Sequence, residues 1–483
     1  MTKDERIDIA INRYLKAGAI GTLNHIMRFG KTTEGCLIAE RFRRKFEDEI
    51  IIAVPSVAVR DEWLTTLSDF EIDNLRVLTA NEILNLDRIS VGLLIIDELH
   101  KFVSDNRLNI VNGNIISYTY NLGLTGTYPF GNKIIEKHFP IVDTITDKEA
   151  IDNGWISNFI EYNVPLELTN ADKANYVKYS TKMYEISSTF RGLSNILINK
   201  DGTSFFNNDL DLILSCYSGK FVKDVGHIES KHIREAVAVK MGWMPELDLT
   251  FERNIDIDKY WNPDNIKERA VEYYQAMRKR NEIHNINEVK LKAVLQICEK
   301  FKGKNTLIFN ESTMFADTIA DSLNSYFKDG KAISYHSGVK GKPLISFIDG
   351  EYFKFSNGKI KTFGKEKQLR YIKSMLKIGL YDTIVTAKAL DEGFNAETIE
   401  IIITTSGTAN PMQYSQRNAR GKTVDKYNKD KVTYIFNLFF DDFGFLLEGE
   451  HKHFYSRDKK KLDIRQGNSK AITLNLSEFI ENY

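Results

Sequence analysis

The segment 93–100 restricts the possible folds of this chain more than any other. It reads Leu-Leu-Ile-Ile-Asp-Glu-Leu-His. Four consecutive apolar β-formers predict a strand that is buried on both faces, as strands of parallel sheets are. Asp97 and Glu98 would then lie at the carboxyl end of that strand, where α/β sheets bind ligands. Such an aspartate can ligate Mg²⁺ and such a glutamate can orient a water molecule, whereas the alternative is a solvated acidic turn.

A second polar segment, Gly30-Lys31-Thr32-Thr33, stands between a predicted strand and a predicted helix over 34–46. In a phosphate-binding loop the backbone N–H groups and the helix N-terminus face the anion, the lysine reaches the phosphates and the hydroxyl ligates Mg²⁺. His25 occupies the position at which such a loop normally begins with glycine. The three residues alone therefore leave a helix N-terminus without a ligand as the alternative.

Apolar stretches alternate with helical patterns in two parts of the chain, and this rhythm predicts parallel α/β sheets. The first part includes Val54-Pro55-Ser56 and Thr125-Gly126-Thr127, and the second resumes at residue 289. Residues 170–285 lack the alternation and have helical periodicity instead. We predict an inserted, mainly helical subdomain there.

These motifs, in their order and spacing, resemble the two motor domains of superfamily 2 helicases. Within that superfamily they are most similar to the DEAD/DEAH-like branch that includes restriction-enzyme-like and phage recombination helicases. The resemblance covers roughly residues 1–165 and 286–440. It rests on Gly30-Lys31-Thr32, Val54-Pro55-Ser56, Asp97-Glu98-Leu99-His100, Thr125-Gly126-Thr127, the segment 381–395 and the segment 412–423.

The resemblance implies an α/β fold with two tandem RecA-like parallel-sheet motor domains, an inserted mainly helical subdomain and a small β-hairpin insertion. The predicted boundaries are 1–165 for the first motor domain, 166–285 for the inserted subdomain, 286–445 for the second motor domain and 446–483 for a C-terminal tail.

The resemblance also implies hydrolysis of ATP with Mg²⁺ as cofactor. Glu98 would orient or deprotonate the attacking water, and Asp97 and Thr32 would hold Mg²⁺. Lys31 would bind the phosphates, and Gln416 and Arg420 would be the sensor and the arginine finger. The other nucleotide-site candidates are Gly30, Thr33, Asp391, Glu392, Gly393 and Arg417.

Further roles follow from the same resemblance. His100 and the turn Thr125-Gly126-Thr127 would couple hydrolysis to the nucleic acid, while Pro55, Ser56 and Thr386 would contact it. The chain departs from the family pattern at two positions: Thr423 replaces its last arginine and Ala419 a glycine. We therefore expect that Arg420 acts alone or with help from Lys422 or Arg417, or that hydrolysis is slow.

The segment 340–367 lies outside the family pattern. Its Asp-Gly and Asn-Gly pairs predict a three-stranded meander. Residues 340–377 carry ten Lys or Arg against three Asp or Glu, interleaved with aromatic residues. Lys354, Lys359 and Lys361 are thus candidates for contacts with DNA, and the alternative is a packed hairpin with solvated lysines.

The leading hypothesis is an ATP-dependent DNA helicase or translocase that acts on single-stranded, forked or branched DNA in replication, recombination or repair. The alternatives are an RNA helicase, the motor subunit of a restriction system and a nucleic-acid-binding scaffold with a decayed ATPase. Lys plus Arg equals Asp plus Glu at 66 each, so a basic footprint must be local. Three dispersed cysteines and the lack of a long apolar run predict a cytoplasmic protein, in a bacterium or a phage-infected host, without a membrane partner. A monomer is expected.

Overall fold

A computed structural model describes residues 1–197, 204–219, 231–243, 262–336, 344, 346, 351, 353–387, 398–424, 428, 430–467 and 471–482. The chain divides into two compact units. The larger unit comprises Met1–Pro165, Lys290–Phe439 and Arg457–Tyr483, and the smaller comprises Leu166–Val289 and Phe440–Ser456.

The first sheet of the larger unit has six strands in the order β3-β2-β4-β5-β1-β6. All five neighbouring pairs are parallel, so the carboxyl ends of the strands meet at one edge. The strands are β1 Ile20–His25, β2 Ile50–Val54, β3 Leu75–Thr79, β4 Ile89–Asp97, β5 Ile116–Thr125 and β6 Ile141–Ile145.

Strand β4 is buried on both faces, as its apolar run predicts. Leu93 and Ile95 belong to one hydrophobic cluster, and Leu94 and Ile96 belong to another on the opposite face. The neighbouring strands and the surrounding helices supply the rest of both clusters, so β4 ends inside the protein with its polar residues at the carboxyl edge of the sheet. These helices are Lys3–Lys16, Lys31–Arg43, Val57–Leu67, Ala80–Leu84, Asp105–Val111, Lys133–His138 and Asp147–Asp152, with a 3₁₀ turn at Leu99–Phe102.

The second sheet has seven strands in the order β15-β7-β12-β11-β8-β10-β9. The pairs β10–β8, β10–β9, β11–β12, β11–β8 and β15–β7 are parallel. Two α/β domains with parallel sheets confirm the predicted fold class. The strands are β7 Asn158–Leu166, β8 Thr306–Asn310, β9 Ala332–His336, β10 Thr383–Ala387, β11 Ile401–Thr404, β12 Val432–Phe440 and β15 Ile472–Thr473.

Strand β7 ends next to the predicted domain boundary at residue 165, where a segment of the larger unit also ends. This stretch follows the first sheet in sequence, but β7 pairs within the second sheet. A strand needs a partner with free backbone groups, and β7 finds partners in β15 and β12, which come much later in the chain. Local sequence therefore could not show which sheet it joins.

The segment 446–483, predicted as a C-terminal tail, is folded. Helix Arg457–Gln466 buries Leu462, and its Asp458 forms a buried ion pair of 2.5 Å with Lys290. Strand β15 extends the second sheet, and helix Leu476–Asn482 follows it. The other helices around the second sheet are Glu288–Lys300, Thr313–Phe327, Lys365–Lys377 and Pro411–Asn418.

The smaller unit is mainly helical, and it also contains an antiparallel hairpin, β13 Phe443–Leu447 with β14 Glu450–Phe454. One hydrophobic cluster joins the hairpin to the longest helices of this unit through Phe443, Tyr176 and Val177. The helices are Asn170–Phe190, Leu193–Ile196, Asp209–Tyr217, Lys231–Lys240 and Pro263–Asn285. Within the described ranges, no helix has both the length and the apolar character needed to cross a bilayer.

Candidate nucleotide site

A cavity of about 310 Å³ in the larger unit brings together motifs that are far apart in the chain. The phosphate-binding loop, the end of β4 and the segment after β11 all contribute to its wall. Its lining includes four basic and three acidic side chains, a composition suited to an anion that carries a metal ion. The lining residues are Met27, Arg28, Gly30, Lys31, Thr32, Thr33, Val59, Glu62, Thr66, Asp97, Glu98, Lys101, Gln416, Ala419, Arg420 and Thr423.

The phosphate loop lies between β1 and helix Lys31–Arg43. Gly30 is the N-cap of this helix with φ of 107°, a conformation that glycine adopts without strain. The Lys31 ammonium group donates to the backbone oxygens of His25 and Ile26 at 3.3 and 3.4 Å. These hydrogen bonds are long, so phosphate oxygens can replace them. The helix N-terminus and Lys31 therefore face the cavity as a phosphate site requires.

His25 is the centre of a buried ionic network behind this loop. Its Nδ1 lies 2.9 Å from both carboxylate oxygens of Glu34, and its Nε2 lies 2.9 Å from Asp143. Arg6 and Arg13 also donate to Asp143. Burial alone would lower the pKa of His25, but the hydrogen bonds to Asp143 and Glu34 outweigh burial and raise it. The imidazolium thus ties β1 to β6 and to the helix that begins at Lys31.

Asp97 is held in a fixed orientation at the end of β4. The Trp63 indole donates to its Oδ2 at 2.7 Å, and the Glu98 backbone N–H donates to its Oδ1 at 2.8 Å. Gly35 permits this arrangement, since a Cβ there would lie 2.4 Å from the Trp63 ring. Burial and the neighbouring Glu98 charge raise the pKa of Asp97 to about 7. A cation beside the carboxylate would restore its ionised form.

The residues at this edge fit a Mg²⁺ ion with its nucleotide. Asp97 and the Thr32 hydroxyl offer the oxygen ligands that Mg²⁺ prefers, and both line the cavity. Glu98 adopts a left-handed backbone with φ of 50°. Its buried Oε2 accepts no hydrogen bond among the described residues, and the neutral His100 ring lies beside it with Nδ1 at 3.4 Å. That oxygen is available to a water molecule in the cavity.

A hydrogen bond joins the two predicted coupling motifs. His100 Nδ1 lies 2.9 Å from the Thr125 hydroxyl, which donates to the Thr127 backbone oxygen at 3.0 Å. Burial lowers the pKa of His100 to about 4, so the ring is neutral and its Nδ1–H donates to Thr125. Gly126 lies against the phosphate loop, since a Cβ there would be 3.3 Å from the His25 oxygen and 3.2 Å from the Met27 side chain. The turn therefore touches the loop directly.

The second sheet contributes Gln416 and Arg420 to the cavity, but it does not contribute every predicted cation. Arg417 lies over the Phe309 ring at 5.2 Å and does not line the cavity, which corrects its assignment to the nucleotide. Lys422 lies over the Phe159 ring at 3.8 Å and pairs with Asp147 at 3.1 Å. Thr423 lines the cavity at the position where the family resemblance places an arginine.

The remaining predicted site residues lie elsewhere. Asp391, Glu392 and Gly393 fall outside the described residues. Pro55 and Ser56 follow β2 and are half-buried, and Ser56 is the N-cap of helix Val57–Leu67. Thr386 is fully buried within β10. This burial corrects the predicted phosphate contact, because a nucleic-acid strand reaches only exposed groups.

Residues 353–361 form a hairpin turn at the second of the two turns predicted for the three-stranded meander, whereas the first, Asp349-Gly350, falls outside the described residues. Phe355 N–H donates to the Lys359 oxygen at 2.8 Å, and Lys361 N–H donates to the Phe353 oxygen at 2.6 Å. Phe353 packs against Phe363 and Tyr371, with ring centroids 5.3 and 5.4 Å apart. Phe355 is 50% exposed and lies beside the Lys361 ammonium group. Phe353, Phe363 and Tyr371 thus form a small core. Phe355, Lys354 and Lys359 are exposed and Lys361 is half-buried, and these four residues form the exposed basic face. Phe347 and Tyr352 fall outside the described residues.

The chain is similar to solved structures that include a helicase. It matches the helicase domain of Hef from Pyrococcus furiosus with a TM-score of 0.48 and 13% identity, over 89% of this chain and 94% of that one. It matches Dbp5 from S. cerevisiae, bound to RNA and ADP BeF3, with a TM-score of 0.49 and 10% identity, over 99% and 90% of the two chains. No protein-family model and no curated protein matches the sequence.

Three contributors to this site were missed in the sequence analysis: the His25 network, Trp63 and Arg28. Asp143, which pairs with His25, and Asp97, which pairs with Trp63, come from distant strands, so no local pattern pointed to these contacts. A signal was available for Arg417, however. Gln416 lies in helix Pro411–Asn418 and Arg420 in the turn that follows it. Their spacing of four residues brings both side chains to one side of the chain, whereas the intervening Arg417 points away from it.

Proposed function

We propose that this protein is an ATP-dependent nucleic-acid motor that hydrolyses ATP to move on or remodel DNA. One observation carries the proposal: Lys31 and Thr32, Asp97 and Glu98, and Gln416 and Arg420 line one cavity. They come from two separate sheets, and each type of residue suits one part of phosphoryl transfer to water.

The reaction follows from the positions of these side chains. Lys31 and the helix N-terminus bind the phosphates, and Mg²⁺, held by Asp97 and Thr32, supplies charge neutralisation when it is bound. Glu98 accepts a hydrogen bond from the attacking water at its unpartnered oxygen and orients it. Arg420 stabilises the charge that develops on the transferred phosphoryl group.

Coupling to the nucleic acid follows from the two-sheet construction of the site. Because Arg420 belongs to the second sheet, hydrolysis depends on how the two α/β domains close around the nucleotide. On the first sheet, the His100–Thr125 hydrogen bond and the contact of Gly126 with the phosphate loop link the nucleotide to the turn after β5. A change at the phosphates thus shifts the turn after β5.

The deciding experiment measures ATP turnover by the purified chain, alone and with single-stranded DNA, duplex DNA, forked DNA or RNA. DNA is expected to stimulate turnover above the basal rate, and Lys31→Ala is expected to abolish both rates. Stimulation by RNA alone would favour an RNA helicase. A chain that binds DNA but turns over no ATP with any of these nucleic acids would be a scaffold.

Charge reversal of the exposed basic face should weaken DNA-dependent stimulation. Lys354, Lys359 and Lys361 replaced together by glutamate are expected to raise the DNA concentration for half-maximal stimulation by about tenfold, because phosphate contacts dominate such binding. Basal turnover should stay unchanged, since these residues lie outside the cavity. The measurement is ATPase activity against DNA concentration at constant salt.

A matched control reverses three exposed lysines on the first α/β domain, Lys16, Lys45 and Lys133. This variant changes net charge equally and should leave the half-maximal DNA concentration within about twofold of wild type. Equal effects of the two triple variants would show that only overall charge matters and would remove the insertion from the DNA site.

A further inference from the structure

Arg28 has an unusual backbone conformation in the phosphate loop. Its φ is 72°, in the left-handed region that L-residues other than asparagine and aspartate rarely occupy. Residues held in such conformations cluster at functional sites, where the surrounding structure enforces them. The loop around Arg28 shows what enforces it here.

The neighbours of Arg28 fix its backbone from two sides. Phe29 is fully buried, with its ring edge-on to His25 at 5.5 Å and to Trp155 at 5.3 Å. The Lys3 ammonium group donates to the Arg28 backbone oxygen at 3.5 Å and lies 5.4 Å from the Phe29 ring centroid. With Phe29 anchored in the core, the left-handed turn directs the Arg28 side chain to the opposite side.

The Arg28 side chain lines the nucleotide cavity together with Lys31 and Glu98. Burial lowers the pKa of Arg28, and the charges of Glu62 and Glu98 oppose this shift. The guanidinium group thus lies in a desolvated place near two carboxylates. Phosphates entering the cavity would compete with these carboxylates for it.

Among the described residues, the cavity wall has no arginine at the position where the family resemblance leads one to expect one. Thr423 lies in its wall, while Arg417 and Lys422 point to the Phe309 and Phe159 rings outside it. Besides Lys31 and Arg420, the basic residues in the described part of the wall are Arg28 and Lys101. Of these two, Arg28 stands in the phosphate loop itself and offers a planar fork of donors that matches phosphate oxygens.

We propose that Arg28 is a phosphate-binding residue of this site, which supplies from the nucleotide loop the arginine charge that Thr423 cannot. The inference rests on the proposed ATPase function and adds a residue to it. Arg28 lines the cavity with Glu98, the carboxylate proposed to orient the attacking water, and feels its charge. Its fork is therefore assigned to the terminal phosphate, so Arg28 favours a nucleoside triphosphate over a diphosphate.

The test uses Arg28→Gly, which removes the side chain at a position where glycine has no backbone strain. The thermal stability of this variant should equal or exceed that of wild type, so a loss of binding cannot come from misfolding. The readout is calorimetric titration of the full chain with Mg²⁺ and either a non-hydrolysable ATP analogue or ADP. The ratio of the two affinities is expected to fall about tenfold in Arg28→Gly and less in Arg28→Lys.

Two control variants complete the design. Lys328→Gly removes a lysine from another left-handed position, with φ of 56°, on an exposed helix end, and it should leave the affinity ratio unchanged. Lys101→Ala removes the other candidate cation.

The outcomes separate this inference from the proposed function. A wild-type chain that binds neither nucleotide would overturn the proposed function and the inference with it. A wild-type chain that prefers the triphosphate, with the same preference in Arg28→Gly, would overturn the role of Arg28 alone. A loss of preference in Lys101→Ala and not in Arg28→Gly would transfer the role to Lys101.

Discussion

Replacing Glu98 with glutamine is expected to lower ATP turnover by about 10²- to 10⁴-fold, the range by which a positioned acid or base accelerates a reaction. Glutamine has the same shape, but it cannot accept the proton of the attacking water. The effect should be large because Glu98 Oε2 is buried and has no other hydrogen-bond partner among the described residues. Steady-state turnover with saturating ATP and DNA measures it, and nucleotide binding should persist.

The matched control for this variant is Glu71→Gln, which changes an exposed glutamate outside the cavity. Turnover within about threefold of wild type in Glu98→Gln would contradict the general-base role. In that case Glu62, the other glutamate that lines the cavity, would be the next carboxylate to replace.

Replacing His25 with glutamine is expected to destabilise the protein by about 3–5 kcal/mol, the cost of removing one partner of a buried ion pair. Glu34 and Asp143 would lose the imidazolium between them while remaining fully buried. The melting temperature should fall by on the order of 10 °C. Differential scanning calorimetry measures this shift, and the exposed His451→Gln serves as its control.

The pH dependence of this effect has a definite sign. The pKa of His25 is raised above 6.5 in the folded state. Its contribution to folding stability is therefore fully present below pH 6.5 and is lost as pH rises through the raised pKa. Asp143 has a pKa lowered from 3.8, so its contribution is lost as pH falls below that value. The difference in the free energy of unfolding between wild type and His25→Gln should therefore be largest between pH 3.8 and pH 6.5 and shrink towards alkaline pH.

A double variant separates charge from packing. His25→Gln combined with Glu34→Gln removes an acid together with its base, so it should be less destabilised than the sum of the two single variants. Strict additivity, or a destabilisation that does not change with pH, would mean that His25 acts as a packed ring and not as a cation.

The parts of the structure that were predictable are those encoded locally. The apolar run before Asp97 fixes a buried strand because every side chain in it favours burial on a pleated surface. The residue order Gly30-Lys31-Thr32 likewise predicts a loop and a helix N-terminus. Both predictions needed only neighbours in sequence, and both are met in β4 and in helix Lys31–Arg43.

The parts that were not predictable depend on distant partners. Helix Arg457–Gln466 has a polar sequence, yet Asp458 and Lys461 pair with Lys290 and Glu311 from other elements. The local sequence therefore did not distinguish this packed helix from the C-terminal tail predicted for 446–483. In the same way, the left-handed backbone of Arg28 is enforced by Lys3 and Phe29, and an arginine gives no local sign of positive φ.

The membership of β7 and β15 in one sheet has a consequence for how this chain folds. All strands of the first sheet lie between Ile20 and Ile145, so it can assemble as soon as that stretch has been synthesised. In the second sheet, β7 must stay unpaired until β12 and β15 have been synthesised, because the whole inserted unit lies between β7 and these strands in the chain. Closing so long a loop is slow, and an unpaired strand edge is exposed to wrong partners in the meantime. Folding kinetics should therefore show an early phase for the first sheet and a late phase for the second.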